Sequence, residues 1–187
     1  MTRVSEPLLE KMRSACHSKR WPIYLYGDVG RGKSFTCAAV YVLWPGNPLD
    51  AMMMRYCDFI SDAMRAAKDG HLSGYNKTGV WFEITESAWW NRLRDARVLI
   101  VDEIGSGTGN DWRNEILWKL LEIRKHRPLI CTGNLTPKEI GEQFDKRIQS
   151  RFLEGSFIEL RGTDMRRDGL ESRIQVVDES RQLLATA

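Results

Sequence analysis

The sequence predicts an α/β domain built on a mainly parallel sheet with helices on its faces. Two observations carry that expectation. Short apolar runs alternate with longer amphipathic ones along most of the chain, the pattern of strands joined by crossover helices. One run, Val98-Leu99-Ile100-Val101, is apolar at every position, as a strand covered on both faces must be. At 187 residues the chain has room for one domain with an ordinary core, without disulfides or a structural metal.

The elements follow in order. Ile23 to Tyr26 reads as a strand ended by Gly27, and a helix runs from Lys33 to about Leu43, stopped by Trp44-Pro45-Gly46. Met52 to Tyr56 is a second strand, and Asp58 is placed to cap a helix reaching Lys68. The stretch 69–79 is polar and glycine-bearing, a loop or an inserted element. A helix near Thr85 to Arg94 leads into the buried strand 98–101. Trp112, Ile116, Leu120 and Ile123 recur at helical spacing until Arg127-Pro128, with Arg124 to Arg127 as the cationic end of that helix. Leu129 to Thr132 is a further strand, and Thr136-Pro137 starts a helix in cap-then-proline order. Phe144 to Phe152 reads as one more helix closed by Gly155, and Phe157 to Leu160 as the last strand. The tail after Gly169 is polar and is expected to be loosely attached.

Composition excludes several classes. Hydrophobic residues make up 42% and charged residues 28%, with 7 Trp, which rules out a disordered or fibrous chain. A net charge of +3 permits a nucleic-acid partner without arguing for one. No apolar run approaches the roughly 18 residues of a membrane span, and the first 20 residues lack the apolar centre of a secretion signal. Cys16, Cys37, Cys57 and Cys131 are scattered, with no zinc spacing. A cytoplasmic protein with reduced thiols is the expectation.

Gly27-Asp28-Val29-Gly30-Arg31-Gly32-Lys33-Ser34 fits G-x-x-x-x-G-K-[ST] without departure. Glycines let successive backbone N–H groups face one concavity, and the helix that follows adds its positive end. Lys33 would reach the β- and γ-phosphates of a nucleotide, with Phe35 just beyond the loop, and the Ser34 hydroxyl would ligate Mg²⁺. ATP and Mg²⁺ are therefore the expected ligands.

The strand 98–101 runs into Asp102-Glu103. Two carboxylates after four apolar residues are costly unless they stand at the open end of a sheet facing a cation. Asp102 would hold Mg²⁺, directly or through water, and Glu103 would polarise the attacking water. The two-carboxylate form favours hydrolysis over transfer to a small substrate. Leu129 to Gly133 ends in Asn134, an amide that beside strand 98–101 would orient the lytic water; a turn-forming Gly-Asn is the ordinary alternative. Arg147 and Arg151 stand four apart on one helix face. They are either a solvated basic face or, for Arg151, an arginine finger entering a neighbouring copy's site. Arg166 either folds back on its own copy's phosphates or is a surface residue.

The order of these parts resembles the AAA+ ATPases of the DnaC/IstB group, helicase loaders and transposition ATPases of bacteria, phages and mobile elements. The similarity rests on GDVGRGKS (27–34), VLIVDEIG (98–105), RPLICTGNL (127–135), RIQSRF (147–152) and GTDMRR (162–167). It implies a P-loop NTPase domain of AAA+ type over residues 21–167, with a five-stranded parallel sheet of order 5-1-4-3-2. A short N-terminal segment, 1–20, precedes it and a C-terminal tail, 168–187, follows. It also implies a homo-oligomer with ATP at its subunit interfaces, single-stranded DNA in the central channel and a replicative helicase as partner. The roles of Asn134 as first sensor, Arg151 as finger and Arg166 as second sensor rest partly on this likeness.

Two departures stand out. Loaders of this group carry an N-terminal domain that holds the helicase, and the 20 residues ahead of the core are too few for one, supplying at most a short helix around Pro7 to Ala15. The stretch 69–81 is also longer than in the shorter loaders. In the region after the second strand Arg65, Lys68, Tyr75 and Lys77 are candidate DNA contacts, the two lysines foremost, while Trp81, Phe82, Trp89 and Trp90, just behind, divide between base stacking and core packing. An IstB-type ATPase acting on duplex DNA, a small-molecule P-loop kinase and a non-hydrolysing adaptor remain the alternatives.

Overall fold

The computed structural model describes residues 6–45, 50–75, 79–105, 111–162 and 175–178. In chain order the elements are α1 (Glu6–Ser18), β1 (Ile23–Tyr26), α2 (Lys33–Leu43), β2 (Ala51–Arg55), α3 (Tyr56–Asp69), β3 (His71–Tyr75), β4 (Trp81–Thr85), α4 (Glu86–Asp95), β5 (Val98–Ile104), α5 (Asp111–Ile123), β6 (Leu129–Gly133), α6 (Pro137–Gln143), α7 (Lys146–Glu154), β7 (Ser156–Arg161) and β8 (Gln175–Asp178). The main sheet runs β2-β5-β6-β1-β7-β8. Its first five strands are parallel, and counted among themselves they have the predicted order. The sixth, β8, pairs antiparallel with β7.

Both faces of the sheet are covered, which is why its strands read as unbroken apolar runs. Leu99 and Val101 point into a core shared with Phe59, Trp89, Leu117 and Phe152. Val98 and Ile100 point the other way, into a core with Leu8, Met12, Ile23, Leu25 and Cys37. The second core is closed by α1 and α2, so the amphipathic helix expected near the N-terminus is present and packed. Trp89 and Trp90 are core residues, as their packing alternative has it. No described helix is long and apolar enough to cross a membrane.

Local chemistry decides or corrects several expectations. Of the two readings of 69–79 the inserted element holds: His71–Tyr75 pairs antiparallel with Trp81–Thr85 in a separate hairpin. Leu72 is buried beneath it, while Trp81 stays exposed. Asp58 does not cap α3, because Arg55 holds the N-cap place and binds the Asp58 carboxylate through Nε and Nη2 at 2.8 and 2.9 Å. The helix expected over 144–152 starts two residues later and runs to Glu154, since Phe144 is extended and Asp145 caps α7 by accepting from the Ile148 N–H at 2.9 Å. The tail is not wholly detached, because β8 lies within it. Arg124, read as part of the cationic end of its helix, is instead 1% exposed and bonded through its guanidinium to backbone carbonyls beyond that helix.

The start of α6 is a full capping box. Thr136 Oγ1 accepts from the Glu139 N–H at 3.3 Å, and the Thr136 N–H donates back to Glu139 Oε2 at 2.7 Å. Thr136→Ala should lower stability by about 1 kcal/mol, a fall of roughly 2–4 °C in melting temperature for a domain of this size. A thermal melt followed by circular dichroism checks it.

Candidate active site

Parallel strands put all their C-terminal ends on one edge of the sheet, where ligands of open α/β folds bind. In β1, Tyr26 lies level with Gly133 of β6, and Gly133 in turn lies level with Ile104 of β5. The residues that follow or flank these positions are Gly27, Asp102-Glu103 and Asn134. Three segments far apart in sequence therefore meet on one edge.

The loop 27–34 has the backbone its sequence calls for. Gly27 has φ 140°, and a Cβ there would collide with the carbonyl oxygen of Leu160 on the neighbouring strand. Gly32 adopts φ 81° as the N-cap of α2 and offers no side-chain cap. The first N–H groups of the helix are thus left for another acceptor. Lys33 is buried, and its Nζ donates to the carbonyls of Gly27 and Asp28 at 2.6 and 2.8 Å. The ammonium is drawn back across the mouth of the loop. Arg31 is tied to Asp28 at 3.1 Å. Asp28, Val29, Ser34 and Phe35 are exposed around Gly30 and Lys33.

Beside the loop, β5 and β6 fall out of register. Val101 faces Cys131 and Ile104 faces Gly133, so Asp102 and Glu103 together oppose the single residue Thr132. Such a bulge re-aims side chains at the end of a strand. One hydroxyl repairs the break: Thr132 Oγ1 accepts from the Glu103 N–H at 2.9 Å and donates to Asp102 Oδ1. Asp102 is buried and held by that bond, whereas Glu103 is exposed and has φ 64°. A left-handed conformation is uncommon for a residue with a Cβ and is found at functional sites. Thr132 is the member of this site that sequence reasoning missed. A hydroxyl residue near the end of the strand after Asp-Glu was the only signal for it.

No family model matches the chain. It is 24% identical over 181 residues to the chromosomal replication initiator protein DnaA of Clavibacter sepedonicus, covering 88% of this chain and 34% of that protein. It is 24% identical over 125 residues to the replicative helicase loader DnaI of Bacillus subtilis, covering 65% of this chain and 36% of that protein. The chain thus spans about a third of the length of these curated relatives. The structure of the replication initiator DnaA bound to AMPPCP and single-stranded DNA superposes with a TM-score of 0.63 at 20% identity, over 83% of this chain and 47% of that one. The crystal structure of the DnaC helicase loader gives 0.63 at 14% identity, over 86% and 93%. The fold is that of the AAA+ ATPases.

Not every predicted site residue lies on the sheet edge. Lys33, Ser34, Asp102, Glu103 and Asn134 do, with Asn134 exposed one residue past the end of β6. Arg151 stands on α7, against the opposite core from α2, and its partners are Glu122, Glu154 and the Trp118 ring. None of these comes from the phosphate loop. Arg166 and Lys77 lie outside the described residues, as does the side chain of Tyr75. Lys68 and Arg65 are exposed on α3, with Arg65 bonded to Asp62 at 3.3 Å.

Proposed function

We propose that this chain is an ATP-dependent DNA-replication accessory protein of the helicase-loader kind, hydrolysing ATP at sites completed by a second copy of itself. The observation that carries the reading is the meeting of a complete phosphate loop with the bulged Asp102-Glu103 pair and Asn134 on one sheet edge. A small-molecule kinase needs no such pair, and a non-hydrolysing adaptor has no use for a carboxylate held in a left-handed turn.

The residues present fit a magnesium nucleotide. Mg²⁺ takes hard oxygen ligands, one or two from protein and the rest from phosphates and water. The exposed Ser34 hydroxyl and the Asp102 carboxylate, which keeps Oδ2 clear of the Thr132 bond, supply that kind of set. Among the described residues no group of three His, Cys, Asp or Glu offers a rival metal site. Bound there, the ion would neutralise charge between the β- and γ-phosphates.

Lys33 exchanges the Gly27 and Asp28 carbonyls for phosphate oxygens. Glu103 takes the proton of the attacking water, Asn134 orients that water, and Arg151 of a neighbouring copy neutralises charge on the γ-phosphate. Single-stranded DNA, which the similar DnaA structure holds, is the proposed polymer ligand, with Lys68 among its contacts. A replicative helicase is the proposed protein partner, by analogy with the loaders DnaI and DnaC. Arg166 is proposed to fold back onto the phosphates of its own copy.

Complementation tests the shared site. Lys33→Ala and Arg151→Ala should each be inactive alone, the first for lack of nucleotide and the second for lack of the finger. Mixed at concentrations that support assembly, they should recover turnover, because the intact loop of one meets the intact arginine of the other. No recovery would refute a role in trans.

A further inference from the structure

Helices α5 and α7 face each other through a ladder of opposite charges built around one ring. Arg147 reaches Glu115 at 2.6 Å, and Arg151 reaches Glu122 at 2.5 Å. Trp118 lies between the two glutamates on the same stripe of α5, three residues after one and four before the other. Both guanidiniums sit over its indole, at 5.4 and 5.2 Å from the ring centroid. Beside them opens a cleft of about 340 Å³ lined by Trp118, Lys146, Arg147, Ser150 and Arg151. Its lining holds three cations and a hydroxyl, and the carboxylates of Glu115 and Glu122 are not part of it.

Arg151 is held on two sides. Its Nε donates to Glu122 and its Nη1 to Glu154, both at 2.5 Å, while its plane rests on Trp118. The Nη2 group makes no hydrogen bond to a described residue. A free arginine surrenders rotamer freedom when it engages a phosphate, whereas one already fixed meets the anion without that loss. Glu122 is the first cause of the raised pKa of Arg151.

We propose that Trp118 and Glu122 are positioning residues for catalysis between copies: they set Arg151 so that Nη2 faces the γ-phosphate of the nucleotide bound by a neighbouring copy. The inference rests on the reading of Arg151 as a group acting in trans.

The test places Trp118→Leu or Glu122→Gln in the Lys33→Ala chain and mixes it with Arg151→Ala, whose own Trp118 and Glu122 are intact. All turnover then arises where the altered chain donates its arginine. Each substitution should lower kcat by about 10-fold, the loss of one charge-assisted contact, and change KM for ATP by less than about twofold. Trp118→Phe, which keeps a ring under the guanidinium, should restore most of the rate. Unchanged turnover with both substitutions overturns the proposal. A loss of rate matched by an equal loss of assembly in light scattering also overturns it, assigning the ladder to holding α5 against α7. Absence of turnover in the unaltered pair, Lys33→Ala with Arg151→Ala, instead overturns the trans reading beneath it.

Discussion

Glu103→Gln should bind Mg·ATP about as tightly as the parent chain and hydrolyse it roughly 100- to 10,000-fold more slowly, the range of a lost general base. The amide is isosteric with the carboxylate and keeps the backbone that matters, because the Glu103 N–H still donates to Thr132 Oγ1. It cannot take a proton from water. Binding should survive, since the proposed grip on the phosphates comes from the loop and Lys33, between β1 and α2, rather than from β5. The expected signature is a fall in kcat and kcat/KM with little change in the dissociation constant, read from single-turnover hydrolysis beside equilibrium titration. A turnover within about tenfold of the parent would show that water is activated elsewhere. A parallel loss of binding would mean that Glu103 acts on the ground state.

This site was partly legible before the fold was known. The phosphate loop is a local device: its glycines, lysine and serine occupy consecutive positions, and the helix they open follows at once. Asp102-Glu103 could be read because an apolar run ending in two carboxylates, common at strand ends and weak by itself, follows a complete phosphate loop in the same chain. What joins them could not. Thr132 lies 30 residues from Asp102 and 29 from Glu103, and its part depends on a slip in pairing between two strands that no residue type announces. The same holds for the partners of Arg151. A basic pair on α7 was evident from its spacing, but Glu122, 29 residues away, becomes a neighbour only when α5 packs beside α7.

The elements left open or unread have related causes. The hairpin of β3 and β4 carries Ser73, Gly74 and Gly79, residues that signal turns, and among its described residues Leu72, Phe82 and Ile84 pack against the core. Its pairing offset that local preference. β8 is a four-residue edge strand whose partner β7 was already predicted; nothing in its own composition required it to add to the sheet. The parallel strands were legible because burial on both faces leaves a continuous apolar signal, which an edge hairpin does not have.

Arg124 is the position where sequence reading erred most, and its replacement should have the largest effect on stability. Its Nη1 donates to the carbonyls of Leu93, Arg94 and Ala96 at 3.2, 2.8 and 2.7 Å, and its Nη2 to that of Pro128. The first carbonyls are those left over at the end of α4, and Pro128 leads into β6. One guanidinium therefore ends a helix and ties it to the chain entering the next strand. Burial lowers its pKa to about 10, with desolvation the main cause and the charge of Arg127 the second. The charge is thus costly to hide, and carbonyl dipoles offset the cost. Arg124→Met keeps the apolar stem and removes every donor; the Arg94 carbonyl still accepts from Arg127 and the Pro128 carbonyl from the Leu99 N–H, while those of Leu93 and Ala96 lose this partner at about 1–3 kcal/mol for each that water cannot reach. A total loss of about 2–5 kcal/mol is expected from the two carbonyls deprived of their donor. Arg124→Lys should recover only part of it, because three donors on one nitrogen cannot span the fork. Urea unfolding should show the midpoint falling with an unchanged slope, and a loss below about 1 kcal/mol would mean that the carbonyls find water instead. The nucleotide affinity of folded Arg124→Met should match the parent's. Ala96 and Pro128 precede β5 and β6, so Arg124 acts at the edge where strands begin, and the phosphate loop and carboxylates occupy the edge where they end.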